Sequence, residues 1–312
     1  MSRVFITGIE GFVGSHLAQH LADRGHEVSG IYFAEPVADL SFARSIRCDV
    51  RSATQLKLEL AAARPDVVMH LAAISSVVIA EQNLADAFDI NVRGTLNLLE
   101  ALRESAPSAK LLLVSSCEVY DRVAGSGGKL DERAAVRPLN HYSFTKLAME
   151  QVGRYFLERF DMDVVTLRPF SHTGPGQSTN FVFPSVARQV AEAEAGRRKP
   201  EIVVGNTDVS RDYTDIRDIC VAYALALEKS SKGETYNITS EQVLKIGEGI
   251  RQLVALSRVP IAVKVDAGRQ RQESILLAGS SARFRAATGW QAKYDISQTL
   301  RDLLEYERRR LA

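Results

Sequence analysis

The chain has 312 residues, of which 46% are hydrophobic and 25% charged, and its formal net charge is +1 at pH 7. This length and composition allow a sizeable core in one large domain or in two closely packed ones. The nearly balanced charge argues against nucleic acids and acidic membranes as partners, and no apolar run is long enough for a transmembrane helix.

The N-terminal segment predicts a strand that runs into a glycine turn and then into a helix. Residues 4–6 are β-branched or aromatic and suit a buried parallel strand. Gly8 allows a sharp turn, Gly11 leaves room for a pyrophosphate beside the backbone, and Gly14 lets the helix pack closely. The helix N-terminus offers N–H groups to phosphate. A tight turn without a ligand is the alternative for three glycines taken alone.

Strands and helices then alternate along the first half of the chain. We predict strands at residues 27–32, 46–48, 67–71, 110–115 and 164–167, with helices at 53–63 and through 91–103. This alternation is typical of a doubly wound parallel sheet. The three cysteines are scattered, so neither a metal site nor a disulfide framework is predicted. The chain enters its first strand at once, leaving no room for a signal peptide, and we expect a reducing, cytoplasmic location.

After Arg168, prolines and glycines separate shorter elements, which indicates a second, smaller domain. A helix at 216–227 and a strand at 235–238 are regular enough to return to the large sheet. The predicted fold class is therefore α/β, with a Rossmann-type doubly wound parallel sheet and a smaller, discontinuous α/β substrate domain. We assign residues 1–170 and about 207–238 to the dinucleotide-binding domain, and about 171–206 and 239–312 to the nucleotide-sugar-binding domain.

Tyr142 and Lys146 lie four residues apart, on one face of a predicted helix. An ammonium near a phenol favours the phenolate and lowers its pKa from about 10 toward the working range. Tyr142 would then exchange a proton with a carbinol or ketone, and Lys146 could also hold a nicotinamide ribose. Most such pairs are solvated surface residues. Together with the glycine turn, however, this pair predicts a dinucleotide-dependent redox enzyme.

With these residues the chain resembles the extended short-chain dehydrogenase/reductases of the NAD-dependent epimerase/dehydratase family, which act on nucleotide sugars. The resemblance covers nearly the whole length, and residues 7–14, 71–73, 91–95, 115–120 and 142–146 carry it. The C-terminal half most resembles GDP-4-keto-6-deoxy-mannose reductases, which are relatives of the GDP-mannose 4,6-dehydratases. This second resemblance is carried by residues 167–177, 181–184, 211–218 and 288–290.

The resemblance implies a catalytic set. Ser116 would orient the keto oxygen, Tyr142 would supply the proton, and Lys146 would tune Tyr142 and bind ribose. Glu118 matches a glutamate that removes the proton next to the keto carbon in dehydratases. Its presence keeps a dehydratase or epimerase with retained NAD(P) as the alternative. Cys117 stands where some dehydratases place an aspartic acid, and a thiol is a poor replacement for that acid.

The resemblance also implies the binding residues. The cofactor would be bound by Gly8, Gly11, Phe12, Val13, Gly14, Asp49, Val50, Leu71, Ala72, Ala73, Asn91, Tyr142 and Lys146. The nucleotide sugar would be bound by Ser75, Ser171, Phe181, Asn206, Arg211, Arg269 and Glu273. The second strand ends without the aspartate that usually takes the ribose hydroxyls of NAD. No arginine follows it to welcome a 2′-phosphate, although Arg44 or Arg93 could approach, so the choice between NAD and NADP stays open.

The implied function is NAD(P)H-dependent reduction of the 4-keto group of a nucleotide-linked 4-keto-6-deoxyhexose, with GDP-4-keto-6-deoxy-mannose going to GDP-rhamnose. A non-catalytic dinucleotide sensor is the remote alternative, and the Tyr/Lys pair counts against it. We also expect a homodimer. The helices around 91–103 and 142–160 carry more apolar residues than one buried face needs, including Phe144, Leu147, Val152, Tyr155 and Phe156. Packed against a twofold mate, they would form a four-helix bundle.

Overall fold

The computed structural model describes residues 1–34, 40–121, 128–266 and 276–312. Its strands are β1 (Arg3–Thr7), β2 (Glu27–Tyr32), β3 (Arg44–Arg47), β4 (Val67–His70), β5 (Lys110–Val114), β6 (Val164–Pro169), β7 (Ser171–Thr173), β8 (Glu201–Val204), β9 (Ser210–Asp215), β10 (Thr235–Ile238), β11 (Val243–Lys245), β12 (Ala262–Val265) and β13 (Leu276–Leu277). Its α-helices are α1 (Phe12–Ala22), α2 (Ala53–Ala63), α3 (Val77–Gln82), α4 (Leu84–Phe88), α5 (Gly94–Ser105), α6 (His141–Phe160), α7 (Val182–Glu194), α8 (Ile216–Lys229), α9 (Ile246–Ala255), α10 (Ala282–Thr288) and α11 (Ile296–Leu311).

The large sheet has the strand order β3-β2-β1-β4-β5-β6-β10 within the described residues. Neighbouring strands pair in parallel, including β1 with both β2 and β4. The strand order therefore reverses between β1 and β4, and such a switch point is where open parallel sheets bind ligands. The predicted α/β fold class is confirmed, including the return of the helix near 216 and the strand Thr235–Ile238 to this sheet.

Helices cover both faces of the large sheet. Alternation along β1 divides its side chains between two clusters, because neighbouring residues of a strand point to opposite faces. Val4 and Ile6 pack with residues of α1 and α8, whereas Phe5 packs with residues of α2, α5 and α6. Since both faces are buried, the central strands β1, β4 and β5 read as nearly continuous apolar runs, which is why the sequence predicted them well.

The strands after residue 170 form smaller sheets. The strand β9 pairs with β7, β11 and β13, while β8 pairs with β12. A third core joins α7, α9 and α11. Strand β9 lies inside the predicted returning segment of about 207–238, yet its pairing places it in the smaller sheet, and the chain rejoins the large sheet with α8. Sequence patterns show a strand but not its pairing partner.

Two smaller differences concern element type and length. The helix predicted through 91–103 begins as a π-helical turn, Asp89–Arg93, before α5. The third strand is Arg44–Arg47 rather than 46–48. No helix among the described residues combines the length and the apolar character needed to cross a membrane.

Candidate active site

A cavity of about 920 Å³ lies at the carboxyl ends of the parallel strands, at the switch point between β1 and β4. Most predicted site residues line it. From the glycine turn these are Gly8, Gly11, Phe12, Val13 and Gly14. From the segments after β3 and β4 they are Asp49, Val50, Leu71, Ala72, Ala73 and Ser75. The predicted catalytic set Ser116, Glu118, Tyr142 and Lys146 lines the middle, and Ser171, Phe181, Asn206 and Arg211 line the far part. Arg269 and Glu273 fall outside the described residues.

The glycine turn forms a narrow cradle at one end of this cavity. Gly8 has a φ of +73°, and a Cβ there would lie 3.0 Å from backbone atoms of Ala72. A Cβ on Gly14 would lie 2.2 Å from the carbonyl oxygen of Gly8, so a side chain is excluded at both positions. Helix α1 starts directly after Gly11 and presents its free N–H groups at the turn. This backbone geometry fits a dinucleotide pyrophosphate.

Ser116, Tyr142 and Lys146 meet beyond the end of β5. The Tyr142 phenol is hydrogen-bonded with Ser116, whose Oγ also accepts from the backbone N–H of Glu118 at 3.2 Å. The Nζ of Lys146 donates to the carbonyl of Val114 at 2.9 Å and lies 5.9 Å from the centroid of the Tyr142 ring. A hydroxyl, a phenol and an ammonium are thus held together in a buried pocket, an arrangement suited to proton transfer at a carbonyl oxygen.

The pKa of Tyr142 is shifted in the opposite direction to the one expected from the sequence. Burial raises the pKa of Tyr142, Cys117 and Glu118 add to the rise, and the hydrogen bond with Ser116 opposes it. The Tyr–Lys spacing predicted a lowered pKa for Tyr142, whereas the loss of water around the buried phenol raises it. The phenol is therefore protonated at neutral pH, as a proton donor must be.

The pKa of Lys146 is shifted downward, as burial of a cation requires. Burial lowers the pKa of Lys146 to about 8, and the negative charge of Glu150 opposes this lowering. The ammonium is charged below that value and loses its proton above it.

We expect kcat/KM for the reduced dinucleotide to fall as the pH rises through about 8, because Lys146 loses its charge there. A stopped-flow or steady-state pH series would measure this, and a constant kcat/KM up to the onset of denaturation would contradict it.

A buried polar chain supports the cradle from behind. Thr7 Oγ1 lies 2.7 Å from His70 Nδ1, and His70 Nε2 lies 2.9 Å from Thr95 Oγ1, which donates to the carbonyl of Asn91 at 2.6 Å. Because the Thr95 proton is used, its oxygen accepts from His70 Nε2–H. Burial lowers the pKa of His70 to about 3, so Nδ1 accepts from Thr7. His70 thus fixes the strand next to the turn rather than acting as an acid or base.

Asn91 lies behind the cavity wall and is fully buried. Its Oδ1 accepts from the backbone N–H of Ile74 at 2.8 Å, and its Nδ2 donates to the carbonyl of Ile74 and to Thr145 Oγ1 at 2.9 Å. The sequence placed Asn91 among the cofactor-binding residues. In the structure its amide joins the segment after β4 to the helix that carries Tyr142, and the π-helical turn positions it there.

A buried ion pair that the sequence analysis did not identify stands next to Lys146. The Arg168 guanidinium donates to both oxygens of Glu150, at 2.9 and 2.6 Å, and lies 4.9 Å from the centroid of the Tyr120 ring. The Tyr120 hydroxyl donates to Asn237 Oδ1 at 2.7 Å. Lys146 and Glu150 are one turn apart on α6, and this spacing could have indicated from the sequence that Glu150 lies near the site.

The far part of the cavity offers a cation and an aromatic ring. Arg211 on β9 is 6% exposed, and its Nη1 donates to the carbonyl of Ser210 at 3.0 Å. Phe181, just before α7, is 37% exposed. The two arginines considered for the dinucleotide do not line the cavity in the described part of the chain, and each forms an ion pair elsewhere, Arg44 with Glu59 and Arg93 with Asp89.

Glu10 also lines the cavity, although the sequence analysis assigned it no role. Its carboxylate accepts a hydrogen bond from the backbone N–H of Phe33 at 2.9 Å. In the sequence, the feature that could have indicated a role for Glu10 was its place between the first two glycines of the turn.

Comparisons with known proteins agree with this geometry. A family model described as the NAD dependent epimerase/dehydratase family matches residues 4–239. The chain is 37% identical over 303 residues to a GDP-6-deoxy-D-mannose reductase of Pseudomonas aeruginosa, covering 97% of this chain and 96% of the relative. A solved structure of RMD from Pseudomonas aeruginosa complexed with NADPH superposes with a TM-score of 0.88 at 35% identity, covering 99% and 100% of the two chains.

A further structure, the UDP-glucose 4-epimerase of Thermus thermophilus in complex with NAD, gives a TM-score of 0.88 at 24% identity, covering 98% of this chain and 99% of the other. At this identity the likeness shows the fold alone. The family match and the identity to the reductase both extend over most of the chain, and they show the family as well as the fold. The chain therefore belongs to the NAD dependent epimerase/dehydratase family, as an NAD(P)-dependent oxidoreductase of the extended short-chain dehydrogenase/reductase type.

Proposed function

We propose that the protein reduces the 4-keto group of a nucleotide-linked 4-keto-6-deoxyhexose with NAD(P)H, and that the substrate is GDP-4-keto-6-deoxy-mannose and the product GDP-rhamnose. The observation that carries this proposal is the buried Tyr142, which is hydrogen-bonded with Ser116 in the cavity lined at one end by the glycine turn and in its far part by Arg211. The GDP assignment comes from the relative named GDP-6-deoxy-D-mannose reductase.

The chain's own residues account for the proton and for orientation. When bound, the reduced nicotinamide supplies two electrons and one hydrogen to the carbonyl carbon. Tyr142 gives the phenolic proton to the carbonyl oxygen, while Ser116 donates a hydrogen bond to the same oxygen. The charged Lys146 stabilises the phenolate that Tyr142 becomes. The closely packed cradle around Gly8 and Gly14 would hold the dinucleotide pyrophosphate.

The proposal is tested by supplying the purified protein with the 4-keto sugar and either reduced dinucleotide. We expect stoichiometric oxidation of the dinucleotide and, by NMR, a 4-hydroxyl product on the GDP-linked sugar. The dTDP-linked 4-keto sugar is the matched comparison. Oxidation with the dTDP sugar but not with the GDP sugar would overturn the nucleotide assignment and leave the reaction type in place.

Replacing Glu118 with glutamine separates the reductase from its alternative. Glu118 lines the cavity beside Ser116, where a dehydratase or epimerase would need a base on the carbon next to the keto group. A reductase needs no such base, so we expect the reduction rate of Glu118→Gln to fall only modestly. Loss of turnover with unchanged sugar binding, together with dehydration of the parent GDP-sugar by the wild type, would favour the dehydratase.

We propose that α5 and α6 form a homodimer interface. Phe144 and Tyr155 on α6 are 45% and 55% exposed, Leu96 on α5 is 41% exposed, and Phe144 stacks with Phe88 at 6.3 Å. Phe156, which the sequence counted among the excess apolar residues, is instead buried in the core. An exposed patch of this kind is typical of a protein interface.

Sedimentation velocity at micromolar concentration measures this prediction. We expect about twice the 34.3 kDa mass of one chain for the wild type, and dissociation for Phe144→Glu, because a charge there would be buried in the interface. Leu58→Glu is the control, because Leu58 is an exposed residue on α2 outside this patch. A wild-type protein that sediments as a monomer would contradict the dimer.

We propose the two-domain division given by the sequence, with β9 assigned to the smaller domain because it pairs there. We also propose a cytoplasmic location, because the three cysteines are buried and none of them forms a disulfide within the described part of the chain.

A further inference from the structure

Glu10 lies between the first two glycines of the turn, and its side chain reaches across to the end of β2. Its Oε1 accepts from the backbone N–H of Phe33 at 2.9 Å and from that of Ala34 at 3.4 Å. Both residues follow the last residue of β2 and line the same cavity as Glu10. Its Oε2 is buried and has no hydrogen-bond partner within the part of the chain that the structure describes.

The end of the second strand is where a Rossmann-type sheet receives the adenosine ribose, and an acidic side chain of that strand usually takes the ribose hydroxyls. Here β2 ends at Tyr32, and the apolar Phe33 and Ala34 follow. Glu10 therefore supplies, from the glycine turn, a carboxylate that the carboxyl end of this strand lacks. The exposed Phe33 ring beside it offers an apolar surface to a base.

Among the described residues, three groups that line this end of the cavity and could bind a 2′-phosphate are already engaged. Backbone N–H groups at a turn are natural phosphate donors, but those of Phe33 and Ala34 are bonded to Glu10. Within the part of the chain that the structure describes, Arg51 is the cation that lines this end of the cavity. Its Nε donates to Oδ2 and Oδ1 of Asp49 at 2.9 and 3.1 Å, and its Nη2 donates to Oδ2 at 2.6 Å.

We infer that Glu10 is a specificity-determining residue that makes the dinucleotide site prefer NAD(H) over NADP(H). This inference rests on the proposed dinucleotide-dependent reduction. A ribose 2′-hydroxyl can donate a hydrogen bond to the carboxylate and satisfy its unpartnered oxygen. A 2′-phosphate carries more than one negative charge near neutral pH and acts almost entirely as an acceptor, so the same carboxylate repels it.

Calorimetric titration of the full-length protein with NADH and with NADPH, without any sugar, tests this directly. We expect the wild type to bind NADH at least about tenfold more tightly than NADPH. In Glu10→Gln we expect this ratio to shrink by about tenfold or more, mainly through tighter NADPH binding. The amide oxygen still accepts from the Phe33 N–H, while the new N–H group can donate to phosphate.

Glu27→Gln is the matched control, because Glu27 is an exposed glutamate at the opposite end of β2 and its replacement changes the net charge equally. It should leave the NADH/NADPH ratio unchanged. Glu10→Ser is the second variant, for use if Glu10→Gln does not fold by circular dichroism and thermal melting.

The inference would be overturned if the wild type bound NADPH more tightly than NADH. That result would match the solved relative, which was complexed with NADPH. A ratio that neither Glu10 variant changes would also overturn the inference. Failure of the folded wild type to bind either dinucleotide would overturn the proposed function as well. Because the titration needs no sugar, an error in the nucleotide-sugar assignment leaves its outcome unaffected.

Discussion

Tyr142→Phe should lower reductive turnover by about 10²–10⁴-fold, the usual contribution of a positioned general acid, and leave the fold and dinucleotide binding nearly unchanged. The phenyl ring fills the same buried volume, and the lost hydroxyl is the group that is hydrogen-bonded with Ser116. The loss in folding stability should be about 1 kcal/mol, typical of one hydrogen bond.

Turnover, dinucleotide affinity and thermal melting of Tyr142→Phe would be measured side by side. Tyr155→Phe is the matched control, because Tyr155 lies on the same helix α6 and is 55% exposed. Near-normal turnover of Tyr142→Phe at neutral pH would remove Tyr142 from the mechanism. A comparable loss in Tyr155→Phe would show that the helix, not the phenol, is responsible.

Arg211→Ala should weaken nucleotide-sugar binding by roughly ten- to a hundredfold and change dinucleotide binding little. A hydrogen bond to a charged group contributes about 1.5–3 kcal/mol, and a tenfold change in the dissociation constant corresponds to about 1.4 kcal/mol. Arg211 lines the far part of the cavity on β9, whereas the cofactor phosphates would be held by the turn from Gly8 to Gly14.

Titrations with GDP and UDP would measure this effect in the wild type, in Arg211→Ala and in Arg211→Lys. The lysine variant keeps the charge but loses the planar fork, so we expect an intermediate affinity. Unchanged GDP affinity in Arg211→Ala would move the phosphate site to Arg269. Tighter binding of UDP than of GDP by the wild type would contradict the proposed substrate.

The elements of the large sheet were predictable because local patterns specify them. The apolar residues 67–69 of β4 and the glycine turn at Gly8 each carry their own signal. The resemblance grouped Ser116, Tyr142 and Lys146, and in the structure all three line one cavity. The residues bonded to the Asn91 side chain and the neighbours of His70 lie 17 to 63 residues away in the chain. No spacing pattern contains that information.

The electrostatics of the site were the least predictable part. Spacing suggested that Lys146 would lower the pKa of Tyr142, but the direction depends on burial, which only the folded structure reveals. Glu10 was visible in the turn, yet its meaning depends on the bond to Phe33 across 23 residues. The pairing of β9 with β7 is likewise set by tertiary contacts rather than by the composition of either strand.

The most direct test of the central claim follows the hydrogen that is transferred to the sugar. The protein would be given GDP-4-keto-6-deoxy-mannose and a reduced dinucleotide that carries deuterium at the transferable position of the nicotinamide. The account predicts that the deuterium appears on the sugar carbon that bore the keto group, with one equivalent of oxidised dinucleotide released per product. A product formed without that deuterium, or turnover with the dinucleotide retained and no net oxidation, would contradict the account.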